Sequence, residues 1–174
     1  MFKVNDYIIY GLTGVCQVTD ITTEEIGDNG EMQYYVLIPV YQDNLTIKAP
    51  VNNNNVMMRP IITREEVDEL IAGMPEQETI WIEDMRERKN TFQAALKSGD
   101  NEEIIKIIKT IYLEREARSA VGKKMTMTDE NMMNAAETQL YQEIATALNI
   151  SPEEVIPYIH GKLSNISPSS VQSE

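Results

Sequence analysis

Along residues 1–62 the apolar positions come in short runs, each broken by Gly, Asn, Asp or Pro, and this is the spacing of strands. Tyr7-Ile8-Ile9-Tyr10 is closed by Gly11. Val15-Cys16-Gln17-Val18-Thr19-Asp20-Ile21 alternates, with a shift near Asp20. Gly27-Asp28-Asn29-Gly30 predicts a hairpin turn, because Asn and Gly tolerate positive φ. Tyr34-Tyr35-Val36-Leu37-Ile38 is rich in β-formers, and Pro39 ends that strand or places it at an edge. Gln42-Asp43-Asn44 turns into Leu45-Thr46-Ile47-Lys48-Ala49, which stops at Pro50. After the loop Asn52-Asn53-Asn54-Asn55, Val56-Met57-Met58-Arg59 closes the sheet. Five short strands with tight turns predict a small β barrel.

At Thr63 the period changes from two to 3.6. Thr63-Arg64-Glu65-Glu66 is a capping box opening a helix that ends at Gly73. A longer helix is expected from Glu76-Gln77-Glu78-Thr79 to Ser98-Gly99. On it Trp81, Met85, Phe92 and Leu96 fall on one stripe, which reads as core. Asp100 and Glu103 cap a third helix reaching Arg118. A flexible connector, Ser119 to Met127, contains Gly122, and Thr128 caps a fourth helix running to Leu148. Ser151-Pro152-Glu153-Glu154 opens a short last helix limited by Pro157 and Gly161. The expected class is α+β: a five-stranded barrel over residues 1–62, a compact all-α domain of about five helices over 63–163, and a Ser-rich disordered tail over 164–174.

Charge sharpens this picture. The 174 residues carry a net charge of −13, yet ten of the 15 Lys and Arg residues lie between Arg86 and Lys124, against six acids there. A polyanion responds to that local surplus rather than to the total. The acidic balance argues against tight binding of nucleic acid by the chain alone and fits binding after delivery by a partner. One cysteine excludes an intramolecular disulfide and a multi-cysteine zinc site, and fits a reducing compartment. The first residues do not read as a signal peptide, and no apolar run approaches the ~18 residues of a membrane span. Catalytic chemistry finds no footing. His160 stands alone near the end, and Cys16 lies in a strand. The acid pairs Glu65-Glu66 and Glu153-Glu154 sit in first helical turns, and no Gly-rich phosphate loop appears. No catalytic residue, cofactor or metal is expected.

Several segments in order carry a resemblance: Met1-Phe2-Lys3-Val4-Asn5-Asp6-Tyr7-Ile8-Ile9-Tyr10, then Thr13-Gly14-Val15, Leu45-Thr46-Ile47-Lys48-Ala49-Pro50, Leu96-Lys97-Ser98-Gly99-Asp100, Thr128-Asp129-Glu130, Ala135-Ala136-Glu137 and Leu140 to Leu148. Together they resemble the CarD/CdnL family of bacterial transcription regulators over roughly residues 1–160. The resemblance implies a Tudor-like β domain docking on the RNA polymerase β subunit, similar to the polymerase-interacting domain of the transcription-repair coupling factor. It also implies a helical domain that contacts promoter DNA at the upstream edge of the bubble and alters open-complex stability without enzymatic activity.

It places Thr46, Lys48 and Pro50 on the polymerase-facing strand. A second basic position of some relatives falls around Glu24 here, a reversal of charge. Some relatives carry a tryptophan wedge thirteen residues before the Ser of the Ser-Gly-Asp turn, and counting back from Ser98 reaches Met85. Met85, Arg86, Arg88, Lys89, Lys123 and Lys124 are therefore the expected DNA-binding residues. Lys97, Lys106, Lys109, Arg115 and Arg118 can widen the patch. The expected protein is a cytoplasmic monomer with no membrane contact, nucleoid-associated through RNA polymerase, its hold on promoter DNA weak and tethered. The alternative is an adaptor that docks on polymerase without touching DNA.

Overall fold

A computed structural model of the chain describes residues 1–166. It divides into two compact units, Met1–Ile61 with Lys97–Gly99, and Ile62–Leu96 with the residues from Asp100 on.

The first unit is one antiparallel sheet of five strands: β1 (Tyr7–Tyr10), β2 (Gly14–Glu25), β3 (Glu31–Pro39), β4 (Ile47–Pro50) and β5 (Met58–Pro60). Their order is β4-β3-β2-β1-β5. The expected barrel is not closed: β4 and β5 are the two edges and do not pair. They span four and three residues and end at Pro50 and Pro60, which lack the N–H that a further rung needs. The shift foreseen near Asp20 is an irregularity between Val18 and Asp20 in the β2–β3 ladder. The hairpin turn uses Gly27 and Gly30 at φ of 47° and 89°. Ile8, Cys16, Val18, Tyr35, Leu37 and Ala49 form the buried face. Burial among them pushes the Cys16 thiol pKa up to about 11.

The second unit holds five helices: α1 (Arg64–Gly73), α2 (Met85–Ser98), α3 (Asn101–Ala120), α4 (Met127–Leu148) and α5 (Val155–Ile166). Thr63 caps α1 through the reciprocal box, its hydroxyl accepting from Glu66 N–H at 3.2 Å and Glu66 accepting from Thr63 N–H at 2.7 Å. Other boundaries differ from the sequence pattern. α2 starts at Met85, not near residue 76, because Thr79-Ile80-Trp81-Ile82 is β-branched and aromatic and resists helix. Asp84 is its cap, accepting from Glu87 N–H at 2.8 Å. The cap of α4 is Thr126 rather than Thr128, its hydroxyl accepting from Asp129 N–H at 3.2 Å. α5 runs past Pro157, whose missing N–H falls in the first turn where none is needed, and past Gly161 to Ile166. Ser164, Asn165 and Ile166 are thus helical, not the start of a tail. The remainder of that expected tail, 167–174, lies outside the described residues.

The helices bury one core. α3 supplies Ile104, Ile107 and Ile111, and α4 supplies Leu140, Ile144 and Leu148. Val67 and Ile71 of α1, Phe92 and Leu96 of α2, and Val155 and Ile159 of α5 pack against them. These recur at three- and four-residue steps, as one face of a helix requires. Within the core Glu143 is fully buried, with its oxygens accepting from Ile62 N–H and the Asn101 amide, both at 3.0 Å. Tyr158 of α5 donates to Asp68 of α1 at 2.6 Å, bolting the last helix to the first.

Candidate functional site

In the sheet unit, the candidate surface is the free edge of β4. Register sets Lys48 opposite Val36 and Ala49 opposite Tyr35. Ala49 is buried on the core face and Lys48 projects from the other, as strand alternation dictates. Val51 N–H donates to the Gln33 carbonyl at 2.9 Å. Antiparallel alternation then turns the backbone of Ile47 and Ala49 towards β3 and leaves that of Lys48 and Pro50 facing outward. Thr46 is exposed and lies one residue before the strand. The Lys48 ammonium is not open to all comers: it ion-pairs with Glu24 on β2, across β3. That hydrogen bond, with the attraction of the same carboxylate, raises the Lys48 pKa. Glu24, foreseen only as a reversed charge, is the partner within the chain.

In the helical unit, the ends of three helices meet around one buried ion pair. Arg88, in the first turn of α2, is 3% exposed. Its Nε and Nη2 donate to Asp129 Oδ1 and Oδ2, each at 2.8 Å. Its Nη1 donates to the carbonyls of Ile82 at 2.7 Å and Glu83 at 3.2 Å, fixing the irregular segment that leads into α2. Asp129 also accepts the Thr126 hydroxyl at 2.6 Å. Burial raises the Asp129 carboxyl, but the hydrogen bonds from Arg88 and Thr126 outweigh it and hold the pKa below the usual carboxylate value. The sole tryptophan belongs to the same cluster. Arg88 lies 4.1 Å from the centre of the Trp81 ring and Arg118, from α3, 5.5 Å.

Arg88 is therefore turned inward rather than towards a phosphate, and its expected DNA contact is corrected: it is buried, and two carboxylate oxygens and two carbonyls take four of its five N–H donors. The Trp81 stripe is corrected too. Trp81 precedes the helix, half-buried under cations, and Met85 is 54% exposed. Only Phe92 and Leu96 of the four face the core. The other candidates stay at the surface. Arg86 and Lys89 are exposed on α2, and Lys123 and Lys124 on the α3–α4 connector. None of these four has an ion pair among the described residues. The wider patch shrinks. Lys109 is spent on the carbonyls of Met74, Pro75 and Gln77, Arg118 donates to Glu114 at 2.9 Å, and Arg115 lies 3.9 Å from Glu130.

Comparison with known families gives a match for each unit. Residues 2–62 match the CarD-like/TRCF RID domain, and residues 69–160 match the CarD C-terminal domain. The chain belongs to the CarD-like family. Its sheet unit is accordingly a Tudor-like domain with an open edge, and the family is one of transcription-related, RNA polymerase-interacting proteins.

In this CarD-like chain, Met85, Arg86 and Lys89 come together on the first turns of α2. Asp129 ties those turns to the start of α4, next to the connector that bears Lys123 and Lys124. Asp129 is the residue sequence reasoning missed. It lies 41 positions from Arg88, and no local pattern links them. Among the described residues no cluster of His, Cys, Asp or Glu is suited to a metal ion, and no helix is long and apolar enough to cross a membrane.

Proposed function

We propose that this CarD-like protein is a non-enzymatic transcription regulator that docks on the RNA polymerase β subunit and touches promoter DNA at the upstream edge of the bubble, changing open-complex stability. Docking uses Thr46, Lys48 and Pro50 by strand addition to the β4 edge, whose outward backbone groups supply hydrogen bonds. DNA contact uses Met85, Arg86, Lys89, Lys123 and Lys124. The observation that carries this reading is the exposure of Met85 as first residue of α2, with Arg86 and Lys89 beside it. A flexible apolar side chain so placed can fill a distorted base step while the cations meet flanking phosphates. The protein acts as a cytoplasmic monomer. Its weak cationic surface matters because tethering to polymerase supplies an effective concentration on the order of millimolar.

The test is a polymerase pull-down followed by promoter footprinting. Lys48→Glu should lose polymerase while the chain stays folded. The double change Arg86→Ala, Lys89→Ala should keep polymerase but erase the upstream change in the footprint. Failure of the unaltered protein to retain any polymerase refutes the reading. The second reading, an adaptor that docks without DNA contact, is favoured by the exposed acids Glu83, Asp84 and Glu87 around the start of α2. An upstream footprint unchanged by bound protein selects it.

A further inference from the structure

We infer that the α3–α4 connector is a second nucleic-acid contact, in which Val121 and Met127 are apolar prongs on either side of Lys123 and Lys124 and enter a widened minor-groove step. This rests on the promoter-DNA reading above, which already uses Lys123 and Lys124, and adds Val121 and Met127 to it.

The connector was expected to be flexible, yet it is tied at both ends. Val121 N–H and Lys123 N–H both donate to the Arg118 carbonyl, at 3.1 and 2.9 Å, and Gly122 N–H donates to Ser119 at 3.1 Å. Gly122 sits at φ 72°, a left-handed helix stop that lets the chain reverse here. Thr126 caps α4 at the far end. On this fixed loop Val121 is 68% exposed and Met127 75% exposed, and Lys123 and Lys124, between them in sequence, are exposed as well. Exposed apolar side chains are ordinary when scattered; what sets these two apart is the pair of lysines on the same short loop.

Geometry joins these prongs to Met85. Met127 is the first residue of α4 and Met85 the first of α2. Arg88 lies three residues after Met85 and Asp129 two after Met127, so their ion pair fastens the two first turns together. Both methionines therefore stand at the same end of the helical unit.

Charge names the occupant. From Ser119 to Thr128 there is no acid, and the next residue, Asp129, is spent on Arg88. The start of α2 carries Glu83, Asp84 and Glu87 against Arg86 and Lys89. The positive field at this end thus comes chiefly from Lys123 and Lys124. Two lysines between two apolar tips match a duplex whose bases accept a wedge while the bordering phosphates accept cations.

The experiment uses the full chain, RNA polymerase and a fork-junction promoter fragment, with affinity of the polymerase-bound chain for DNA read at several salt concentrations. Val121 and Met127 are surface residues, so the double variant V121S/M127S should melt as the parent does. It should bind the fork at least about tenfold more weakly, the low end for withdrawing a single buried apolar side chain, with an unchanged salt slope. K123A/K124A should instead flatten the log–log salt slope by about two, near one per phosphate contact. If the parent protein alters the promoter complex but V121S/M127S does so equally, this inference fails and the promoter reading stands. If the parent has no effect on the complex, both fall. Should V121S/M127S lose polymerase itself, the connector is a protein contact and the inference is overturned.

Discussion

Replacing Asp129 by Asn should do more damage than any surface change in the helical unit. Arg88 would keep the carbonyls of Ile82 and Glu83 but lose the carboxylate that now takes two of its donors at 2.8 Å. At 3% exposure water cannot replace that charge. Leaving one buried charge without its partner costs about 3–5 kcal/mol, whereas an apolar pair of similar volume is often neutral. A loss of that size is a large share of the ~5–15 kcal/mol that holds an ordinary domain together. It lowers the melting midpoint of a unit of this length by more than about 12 °C.

The assay is thermal and urea unfolding followed by the emission of Trp81, the chain's one tryptophan, which reports the helical unit alone. With its guanidinium neighbour loosened, Trp81 should shift to the red before global melting. R88M/D129L should recover most of the lost stability, because it removes both charges. The acid limb gives an independent check. The folded Asp129 pKa is lowered, so its stabilisation is complete above the unfolded value of ~3.9 and is lost as pH falls through the folded pKa. D129N should flatten that limb. A D129N protein within about 1 kcal/mol of the parent would refute the reasoning, because so small a loss belongs to an exposed pair.

Two further outcomes follow from the buried chemistry. Glu143→Leu removes the acceptor of Ile62 N–H and of the Asn101 amide, so two buried donors lose their partners; urea unfolding should show a loss of roughly 2–5 kcal/mol. The Cys16 thiol, raised to about 11 by burial, should resist a disulfide reagent at pH 8 and react at once when the sheet unit is unfolded, whereas fast native labelling would contradict its enclosure.

Much of this fold was legible because strands and helices announce themselves locally. Gly27-Asp28-Asn29-Gly30 forms the β2–β3 turn and Thr63 with Glu66 the α1 cap, each within a span of four residues. The start of α2 was not legible, since Trp81, Met85, Phe92 and Leu96 satisfy helical spacing whether or not the chain between Gln77 and Asp84 is helical. The site suffered more. By residue type Arg88 looks the same as Arg86 and Lys89, and only a carboxylate 41 positions away makes it internal. Lys48 and Glu24 are likewise joined across a strand, by register that a one-residue slip would undo.

The brevity of β4 sets a ceiling on grip. A visiting strand laid along it gains the N–H and carbonyl of Lys48 and the carbonyl of Pro50, and then the proline offers it no more donors. So short a seam fixes alignment without holding on for long, and it is too small to recruit a second copy into a growing stack. For the docking proposed above, a handhold of that length favours a contact that is readily released.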